Sequence, residues 1–251
     1  MKKITVIVQA RCGSTRFPNK VLKRINKLSL IEIIFRRLKK SKQINDFFLA
    51  TTKNKSDNCL VKLFSNSFVK IFRGKTNDVL SRYYYLAKKN KSEIIVRVTG
   101  DCPLIDVNLI DKMILILKNK KLDYVSNTIK HSYPNGFDAE VFTNLALKKV
   151  WKNSKTSFEK EHVTPYFRSA KTFKIYNLSY KENLSEMRLS VDEPKDFKLI
   201  KKIFRNFEDN IHFTFSEVIR FIKKNKKNLD INKKSYDFLK KRDSVYINQI
   251  K

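Results

Sequence analysis

The sequence predicts a three-layer α/β/α fold in which a mostly parallel sheet lies between helices. Its first half alternates short runs of β-branched and aromatic residues with longer segments of helical periodicity. That alternation is typical of parallel strands whose connecting helices cover both faces of one sheet. The four glycines lie in short polar segments that follow apolar runs, which separates the turns from the regular elements.

The first 127 residues contain five predicted strands, at residues 4–8, 47–51, 69–72, 93–98 and 123–126. Helices are predicted between them at residues 29–40, 56–64, 77–89 and 107–117. Ser29 and Asp106 are suited to cap the first and last of these helices, and Thr76 or Asn77 opens the third. The connections are short, as compact α/β units prefer.

After residue 127 the alternation is less regular. Strands are predicted at residues 137–142, 173–178 and 187–191, and helices at 144–151, 159–167, 194–207 and 215–224, with Pro165 interrupting the second helix. Residues 225–251 are polar and lysine-rich, and we expect this tail to be weakly packed. The sequence therefore predicts one domain over residues 1–224, in halves 1–127 and 128–224, followed by the tail.

The chain is strongly basic, with a formal net charge of +31 from 55 basic and 24 acidic residues in a length of 251. Such a charge is typical of proteins that bind nucleic acid or an anionic membrane. Most of the excess is lysine at predicted helix ends, where cations are solvated and mildly favourable. Since no pattern of a common nucleic-acid module is present, we favour a solvated surface with neither partner. A basic nucleic-acid-binding module stays open as the alternative.

The three cysteines, Cys12, Cys59 and Cys102, are odd in number and lack the pairwise spacing of zinc ligands. Neither a disulfide framework nor a zinc site is indicated, and a cytoplasmic location is the simplest expectation. The apolar run at residues 4–8 is too short for a signal peptide. No segment approaches the ~20 apolar residues of a membrane helix.

Two kinds of polar segment carry the chemistry. The first predicted strand runs into a glycine-containing loop with three cations and two hydroxyls, Arg11, Ser14, Thr15, Arg16 and Lys20. Loops at the carboxyl ends of parallel strands bind phosphate, and the cations suit a polyphosphate. The alternative is a basic surface loop.

Two carboxylates, Asp101 and Asp192, follow predicted strands directly. Each is placed to hold Mg²⁺, which takes one or two carboxylates together with phosphate oxygens and water. The alternatives are structural: Asp101 as a turn or cap residue, and Asp192 or Glu193 as the N-cap of a helix that begins at Pro194.

The motifs occur together, in order, between Gln9 and Phe197: QAR-x-GSTR-x-P-x-K, ATT, FRG, DVL-x-RYY, VR-x-TGDCPLI, YVSNT, YP-x-G-x-D-x-EVF, EHVTPY and VDEP-x-DF. This pattern resembles the cytidylyltransferases that activate acidic sugars, such as 3-deoxy-manno-octulosonate and acylneuraminate, and most resembles the spore-coat polysaccharide biosynthesis branch. The resemblance implies a Rossmann-like nucleotidyltransferase fold with a small β extension, and a homodimer. Residues 1–127 would be the nucleotide-binding half and 128–224 the acceptor-binding half.

The resemblance also implies a reaction and its residues. CTP and an acidic acceptor would give a CMP conjugate and pyrophosphate, with Mg²⁺ as cofactor. Arg11 and Lys20 would bind the triphosphate, and Asp101 and Asp192 would hold the metal. The remaining expected nucleotide-binding residues are Gln9, Ala10, Gly13, Ser14, Arg16, Arg73, Asp78, Arg97 and Gly100.

The expected acceptor-binding residues come from segments at the mouth of the second half: Asn127, Tyr133, Asp138, Glu140, His162 and Arg168. Structural alternatives remain for some of them, since His162 lies beside a proline-containing helix, and Asp138 and Glu140 could pair with neighbouring lysines. A glycosyltransferase or a sugar-phosphate nucleotidylyltransferase on a related sheet is the rival enzyme.

One departure from the family pattern concerns the nucleotide loop. Sugar-acid members commonly carry an Asp-Arg pair where this chain has Asn77 and Asp78 followed by Val79. Base recognition therefore stays open at this point, with Arg82, one helical turn after Asp78, as a substitute.

Overall fold

The computed structural model describes residues 2–208 and 210–232. In this part of the chain, strands β1 to β9 are Ile4–Gln9, Arg24–Ile25, Leu28–Ser29, Asp46–Thr52, Lys70–Gly74, Ile94–Thr99, Tyr124–Ser126, Glu140–Thr143 and Ile175–Asn177. Helices α1 to α9 are Leu30–Leu38, Asn58–Leu63, Val79–Lys89, Val107–Asn119, Asn144–Asn153, Ser157–His162, Pro165–Ser169, Pro194–Asn206 and Phe215–Lys224. Short 3-10 helices lie at Lys20–Leu22, Lys55–Asp57 and Lys226–Ile231.

Within the described residues, the main sheet has seven strands in the order β5-β4-β1-β6-β8-β7-β9. β8 runs antiparallel to its neighbours β6 and β7, and the other pairs are parallel. Val8 of β1 lies opposite both Leu49 of β4 and Val98 of β6. From β1 the chain continues to β4 and β5 on one side of the sheet, and then to β6 on the other side, so β1 marks a switch point. Ligands of α/β sheets bind at such a point, beyond the carboxyl ends of the strands.

Helices cover both faces of the sheet, as the sequence predicts. One face packs against α1, α4, α8 and α9, whose apolar sides join the strands in one buried cluster. The other face packs against α3, α5 and α7. Tyr83 of α3 is fully buried there, and its hydroxyl donates to the Ile7 carbonyl at 3.1 Å. The three-layer α/β/α prediction is confirmed.

Local sequence signals explain where several helices begin. Ser29 caps α1 and forms a capping box with Glu32, and the Asp106 carboxylate caps α4 by accepting from the Asn108 N–H. Helix α3, by contrast, begins at Val79, two residues later than predicted. Its N-cap is Asp78, whose carboxylate accepts from the Ser81 N–H at 2.9 Å, so the assignment to Thr76 or Asn77 is wrong.

The predicted strand at residues 187–191 is also wrong. This segment makes one isolated bridge, between Asn135 and Arg188, and joins no ladder. Arg188 is buried and its guanidinium pairs with Asp196 of α8 at 2.6 Å. The segment is therefore anchored by a buried ion pair instead of by pairing with a strand.

The beginning of the tail is more tightly packed than expected. Asn232 is buried, and its side-chain amide donates to the Arg188 carbonyl and to Asp196 Oδ1, each at 2.9 Å. The rest of the predicted tail, residues 233–251, lies outside the described residues. No helix in the described ranges is both long and apolar enough to cross a membrane.

Candidate active site

Three side chains from distant parts of the chain meet at the carboxyl edge of the sheet. Lys20 follows the loop after β1, Asp101 follows β6, and Asp192 precedes α8. The Lys20 ammonium lies 3.1 Å from Asp101 Oδ2 and 2.7 Å from Asp192 Oδ1. The two carboxylate segments are themselves joined by a backbone hydrogen bond from the Val191 N–H to the Asp101 carbonyl at 2.8 Å. The structure thus brings together the lysine and both acids that the sequence predicts.

The charges of Lys20 and Asp101 stabilise one another. Burial alone would lower the pKa of Lys20, but Asp101 and Asp192 outweigh it and raise that pKa above its usual value. Burial alone would raise the pKa of Asp101, but the Lys20 ammonium and the Thr99 hydroxyl lower it to about 2. The Thr99 hydroxyl donates to Asp101 Oδ1 at 2.5 Å. Both groups are therefore charged at neutral pH.

Asp192 also contacts two arginines. Arg16 lies 3.2 Å from its Oδ1, and Arg188 lies 3.4 Å from its Oδ2. The structural alternative for Asp192 is not what the structure shows, because α8 has Glu193 as its N-cap and the Asp196 carboxylate accepts from the backbone N–H groups at its start. The Asp192 carboxylate is left facing the cations.

A cleft of about 870 Å³ opens beside this centre. Most of the expected nucleotide-binding residues line it, namely Gln9, Ala10, Arg11, Gly13, Ser14, Arg16, Lys20, Arg97 and Gly100. Asp101 and Asp192 line it as well, and the segment after β5 contributes Thr76, Val79 and Arg82. The cleft has cations on several sides, which suits a polyanionic ligand.

Two expected nucleotide-binding residues are not brought into this lining. Arg73 donates from Nε to the Thr52 carbonyl at 2.7 Å, and from its other nitrogens to Asn54 and Asn58 at 2.8 Å. Asp78 is engaged as the N-cap of α3. Both side chains stabilise the local backbone. Arg82, which the sequence offered only as a substitute in base recognition, does line the cleft.

A second cavity of about 250 Å³ adjoins the cleft and shares Arg97, Thr99, Phe158 and His162 with it. Four expected acceptor-binding residues line this cavity: Asp138, Glu140, His162 and Arg168. His131 and Thr128, which sequence reasoning did not select, line it too.

Asn127 and Tyr133, which the sequence also predicts as acceptor-binding residues, do not line this cavity. The buried Asn127 amide donates to the Phe137 carbonyl at 2.9 Å and accepts from the Ala139 N–H at 3.0 Å. Tyr133 is a buried ring packed against Tyr180 and Phe215. Both residues have structural roles.

Two arginines and two acids line the small cavity, namely Arg97, Arg168, Asp138 and Glu140. Glu140 is buried and pairs with the Arg97 guanidinium, with Arg168 at 3.4 Å and with the Tyr124 hydroxyl. Burial would raise the pKa of Glu140, but Arg97 and Arg168 outweigh it and lower that pKa. The lysine pairing considered for Glu140 is therefore not found. The guanidiniums of Arg97 and Arg168 are the cations that an acidic group of a ligand would meet in this cavity.

Comparison with known proteins gives the family. A sequence profile described as cytidylyltransferase matches residues 5–242. The chain belongs to the cytidylyltransferase family. An uncharacterised protein of Methanocaldococcus jannaschii is 41% identical over 241 residues, covering 93% of this chain and 98% of the relative. The spore coat polysaccharide biosynthesis protein SpsF of Bacillus subtilis is 29% identical over 235 residues, covering 90% and 96%.

The fold comparison agrees with the sequence comparison. The structure of a cytidylyltransferase from Leptospira borgpetersenii superposes with a TM-score of 0.87 and 31% identity, covering 91% of this chain and 97% of the other. The protein is thus a nucleotidyltransferase, and the predicted family and nucleotidyltransferase fold are confirmed.

Asp138 has the most unusual electrostatics of the acids in this cytidylyltransferase's small cavity. Burial raises its pKa to about 7, and the charges of Asp101 and Glu140 add to the effect. The Gly136 N–H donates to it and opposes the rise, and the Asn135 amide donates to Oδ2 at 3.3 Å. Asp138 can therefore exchange a proton near neutral pH, which neither Asp101 nor Glu140 does.

Asp57 supports a loop of the cytidylyltransferase site, and sequence reasoning missed it. It is buried, and its Oδ1 accepts from the Cys12 N–H at 2.7 Å. Its Oδ2 accepts from the Thr51 hydroxyl at 3.0 Å and from the Thr52 hydroxyl at 2.5 Å. Asp57 thus ties the loop after β1 to the end of β4. In the sequence it looks like an ordinary residue at a helix start, so no signal distinguished it.

Few side chains of this cytidylyltransferase are placed to ligate a metal ion. Within residues 2–208 and 210–232, no group of three or more His, Cys, Asp or Glu side chains converges. Asp101 and Asp192 do converge, on one cation, the Lys20 ammonium. Two carboxylates fit Mg²⁺, because this ion takes its remaining ligands from phosphate oxygens and water.

Proposed function

We propose that this cytidylyltransferase transfers CMP from CTP to an acidic sugar or a related acceptor and releases pyrophosphate, in surface polysaccharide or glycoconjugate biosynthesis. The observation that carries the proposal is the position of Lys20. Its ammonium bridges Asp101 and Asp192 in the wall of a large cationic cleft, and that cleft adjoins a smaller cavity lined by two arginines. A nucleotide and an anionic acceptor would meet beside this centre.

The loop after β1 would bind the triphosphate. Arg11, Arg16 and Lys20 line the large cleft, and Asp57 holds the same loop through the Cys12 N–H. Fixed cations stabilise the charge that develops on the bridging oxygen as the bond from α-phosphorus to pyrophosphate breaks. Carboxylates hold Arg16 and Lys20 in place before the nucleotide binds, so these two cations need little reorganisation during the reaction.

The small cavity would hold the acceptor. Arg97 and Arg168 would face its acidic group, since their guanidiniums line this cavity. Asp138 would accept the proton of the acceptor hydroxyl as its oxygen forms the new bond to α-phosphorus. His162 lines both spaces and would orient the acceptor toward the nucleotide.

Mg²⁺ would be held by Asp101 and Asp192 together with phosphate oxygens of the nucleotide. When bound, it would neutralise phosphate charge and increase the electrophilicity of α-phosphorus. A homodimer also remains our proposal, to be tested by the mass of the protein in solution against the 29.8 kDa of one chain.

The test is pyrophosphate release with CTP, UTP, ATP and GTP, each offered with acidic sugars, neutral sugars and sugar phosphates. We expect release with CTP and an acidic sugar, and its loss in Asp101→Asn. Asp111→Asn is the matched control, because Asp111 binds Ser41 and Lys42 outside the cleft. Full turnover by Asp101→Asn, or release with sugar phosphates alone, would contradict the proposal, and the second result would favour the sugar-phosphate rival.

A further inference from the structure

Arg82 is a buried arginine in the wall of the nucleotide cleft. It lies in α3 with only 4% of its surface exposed, and it lines the large cleft beside Thr76 and Val79. Its Nη1 donates to the Ala50 carbonyl at 3.2 Å, whereas its Nε has no hydrogen-bond partner among the described residues. Buried donors are nearly always paired, so an unpaired guanidinium nitrogen at a cleft wall indicates a ligand that supplies an acceptor.

The chain also makes room for this side chain with one of its four glycines. A Cβ on Gly74 would lie 2.5 Å from Arg82 Cγ and 3.3 Å from its Cδ. Such a contact is far too short, so any larger residue at this position would displace Arg82. Gly74 does not have a positive φ, so its backbone conformation does not require glycine. The position requires glycine because there is no room for a side chain beside Arg82.

The order of the strands indicates which part of a nucleotide reaches Arg82. Lys20 and Asp101 lie beyond β1 and β6, and the acceptor cavity lies further along, at β8. Arg82 donates to the Ala50 carbonyl of β4. Strand β4 lies on the side of β1 away from β6 and the acceptor cavity. A nucleotide with its phosphates at Lys20 and its α-phosphorus toward the acceptor therefore has its base on the Arg82 side.

We propose that Arg82 donates hydrogen bonds from its guanidinium to N3 and O2 of the cytosine base, and so selects cytosine over uracil. Cytosine presents two adjacent acceptors at these positions, which match the fixed fork of an arginine. Uracil presents a donor at N3, which would face another donor. This inference rests on the proposed function, because it needs the nucleotide to lie in the large cleft.

The experiment compares kcat/KM for CTP, UTP and 3-deaza-CTP, which lacks the N3 acceptor, in the wild type and in Arg82→Gln. Losing a charge-assisted hydrogen bond to the base lowers kcat/KM for CTP by about 10–100-fold. The preference for CTP over UTP falls by about 10-fold or more, because a glutamine amide can accept from uracil N3–H. Lys89→Gln, which removes an exposed charge from the same helix, should leave all three values unchanged.

The analogue separates base reading from loss of folding. In the wild type, 3-deaza-CTP should be about 10-fold poorer than CTP, and this difference should largely vanish in Arg82→Gln. Gly74→Ala should show the same loss of selectivity, since it displaces Arg82 without removing it. Circular dichroism melting identifies the temperature at which each variant is folded, and the assays are made there.

The assay distinguishes failure of the role proposed for Arg82 from failure of the proposed function. A variant that keeps the wild-type ratio of CTP to UTP, and the wild-type penalty for 3-deaza-CTP, overturns the role of Arg82 while the proposed function stands. A wild-type enzyme that uses UTP or ATP as well as CTP contradicts the proposed function itself.

Discussion

The Lys20 ammonium lies 2.7 Å from Oδ1 of Asp192, a residue 172 positions further along the chain. This contact joins the loop after β1 to the segment that precedes α8. The same ammonium reaches Asp101, so one cation holds two acids that follow different parts of the sheet. The centre of the site is therefore formed by tertiary structure, at the carboxyl edge where strands β1 and β6 end.

Replacing Lys20 by glutamine should leave two neighbouring carboxylates without their shared cation. We expect kcat/KM for CTP to fall by about 100-fold or more, since a fixed charge at the departing phosphate is lost. Unfolding should become easier by about 1–3 kcal/mol, because half-buried charges lose their partner. Pyrophosphate release and urea unfolding measure the two effects. Lys23→Gln is the matched control, because Lys23 is exposed and its ammonium lies over the Phe17 ring.

Replacing Asp57 by asparagine should loosen the loop after β1. An amide can replace only one of the carboxylate oxygens, and it places a donor against either Cys12 or the threonine hydroxyls. We expect a loss of about 1–3 kcal/mol in the free energy of unfolding and a rise of about 10-fold in KM for CTP. Ile222→Val, which makes a small cavity in α9, is the control for stability alone. An unchanged KM in the asparagine variant would reduce Asp57 to a structural residue.

Asp138 should make the protein less stable as pH rises. Its pKa is about 7 in the folded protein and about 3.9 when unfolded. The folded state thus holds the proton more tightly, and the associated stability is complete below about pH 4 and is lost progressively between pH 4 and 7. Asp138→Asn should therefore gain stability relative to wild type, by up to about 4 kcal/mol above pH 7 and by almost nothing at pH 4. Urea unfolding at pH 4 and pH 8 tests this, and an equal effect at both pH values would contradict it.

The same variant should lose activity. An asparagine cannot accept the acceptor's proton, so we expect kcat to fall by about 100-fold or more at pH 8, where the variant is more stable than the wild type. A gain in stability joined to a loss of turnover is the pattern of a residue kept for function.

Replacing Arg168 by glutamine should weaken binding of the acceptor without affecting CTP. Its guanidinium donates to the Thr128 hydroxyl at 2.7 Å and lies beside Glu140 in the small cavity. Removing this charge should raise KM for an acidic acceptor by about 10–100-fold. Arg205→Gln, at an exposed position of α8, is the control. A rise in KM for CTP instead of for the acceptor would show that the two cavities are assigned the wrong way round.

Much of the fold follows from local signals in the sequence. Helix α9 begins and ends where the periodicity predicts, at Phe215–Lys224, and the structure shows Thr214 as its N-cap. Lys20 and Asp101 could be expected to meet, because parallel strands deliver the loops at their carboxyl ends to one edge. The structure brings Asp192 to the same edge although the preceding segment is not a strand, because Arg188 and the start of α8 fix its position.

The sequence could not separate ligand-facing polar residues from those that satisfy the backbone. Asn127 and Arg73 both lie in or just after strands, as site residues do, yet each binds main-chain groups. Asp57 shows the opposite case, since a buried carboxylate that holds a loop has the same local pattern as a helix cap. The long-range partner decides each role, and it depends on how the chain packs.

The most direct test of the central claim is the mass of the product. Wild-type protein, CTP and an acidic sugar should give a CMP–sugar conjugate, with one pyrophosphate released for each conjugate formed. Asp101→Asn and Asp192→Asn should each give almost none, while Asp111→Asn should match the wild type. Conjugate formation at the wild-type rate by either of the first two variants would contradict the assignment of the site, and a product without CMP would contradict the reaction.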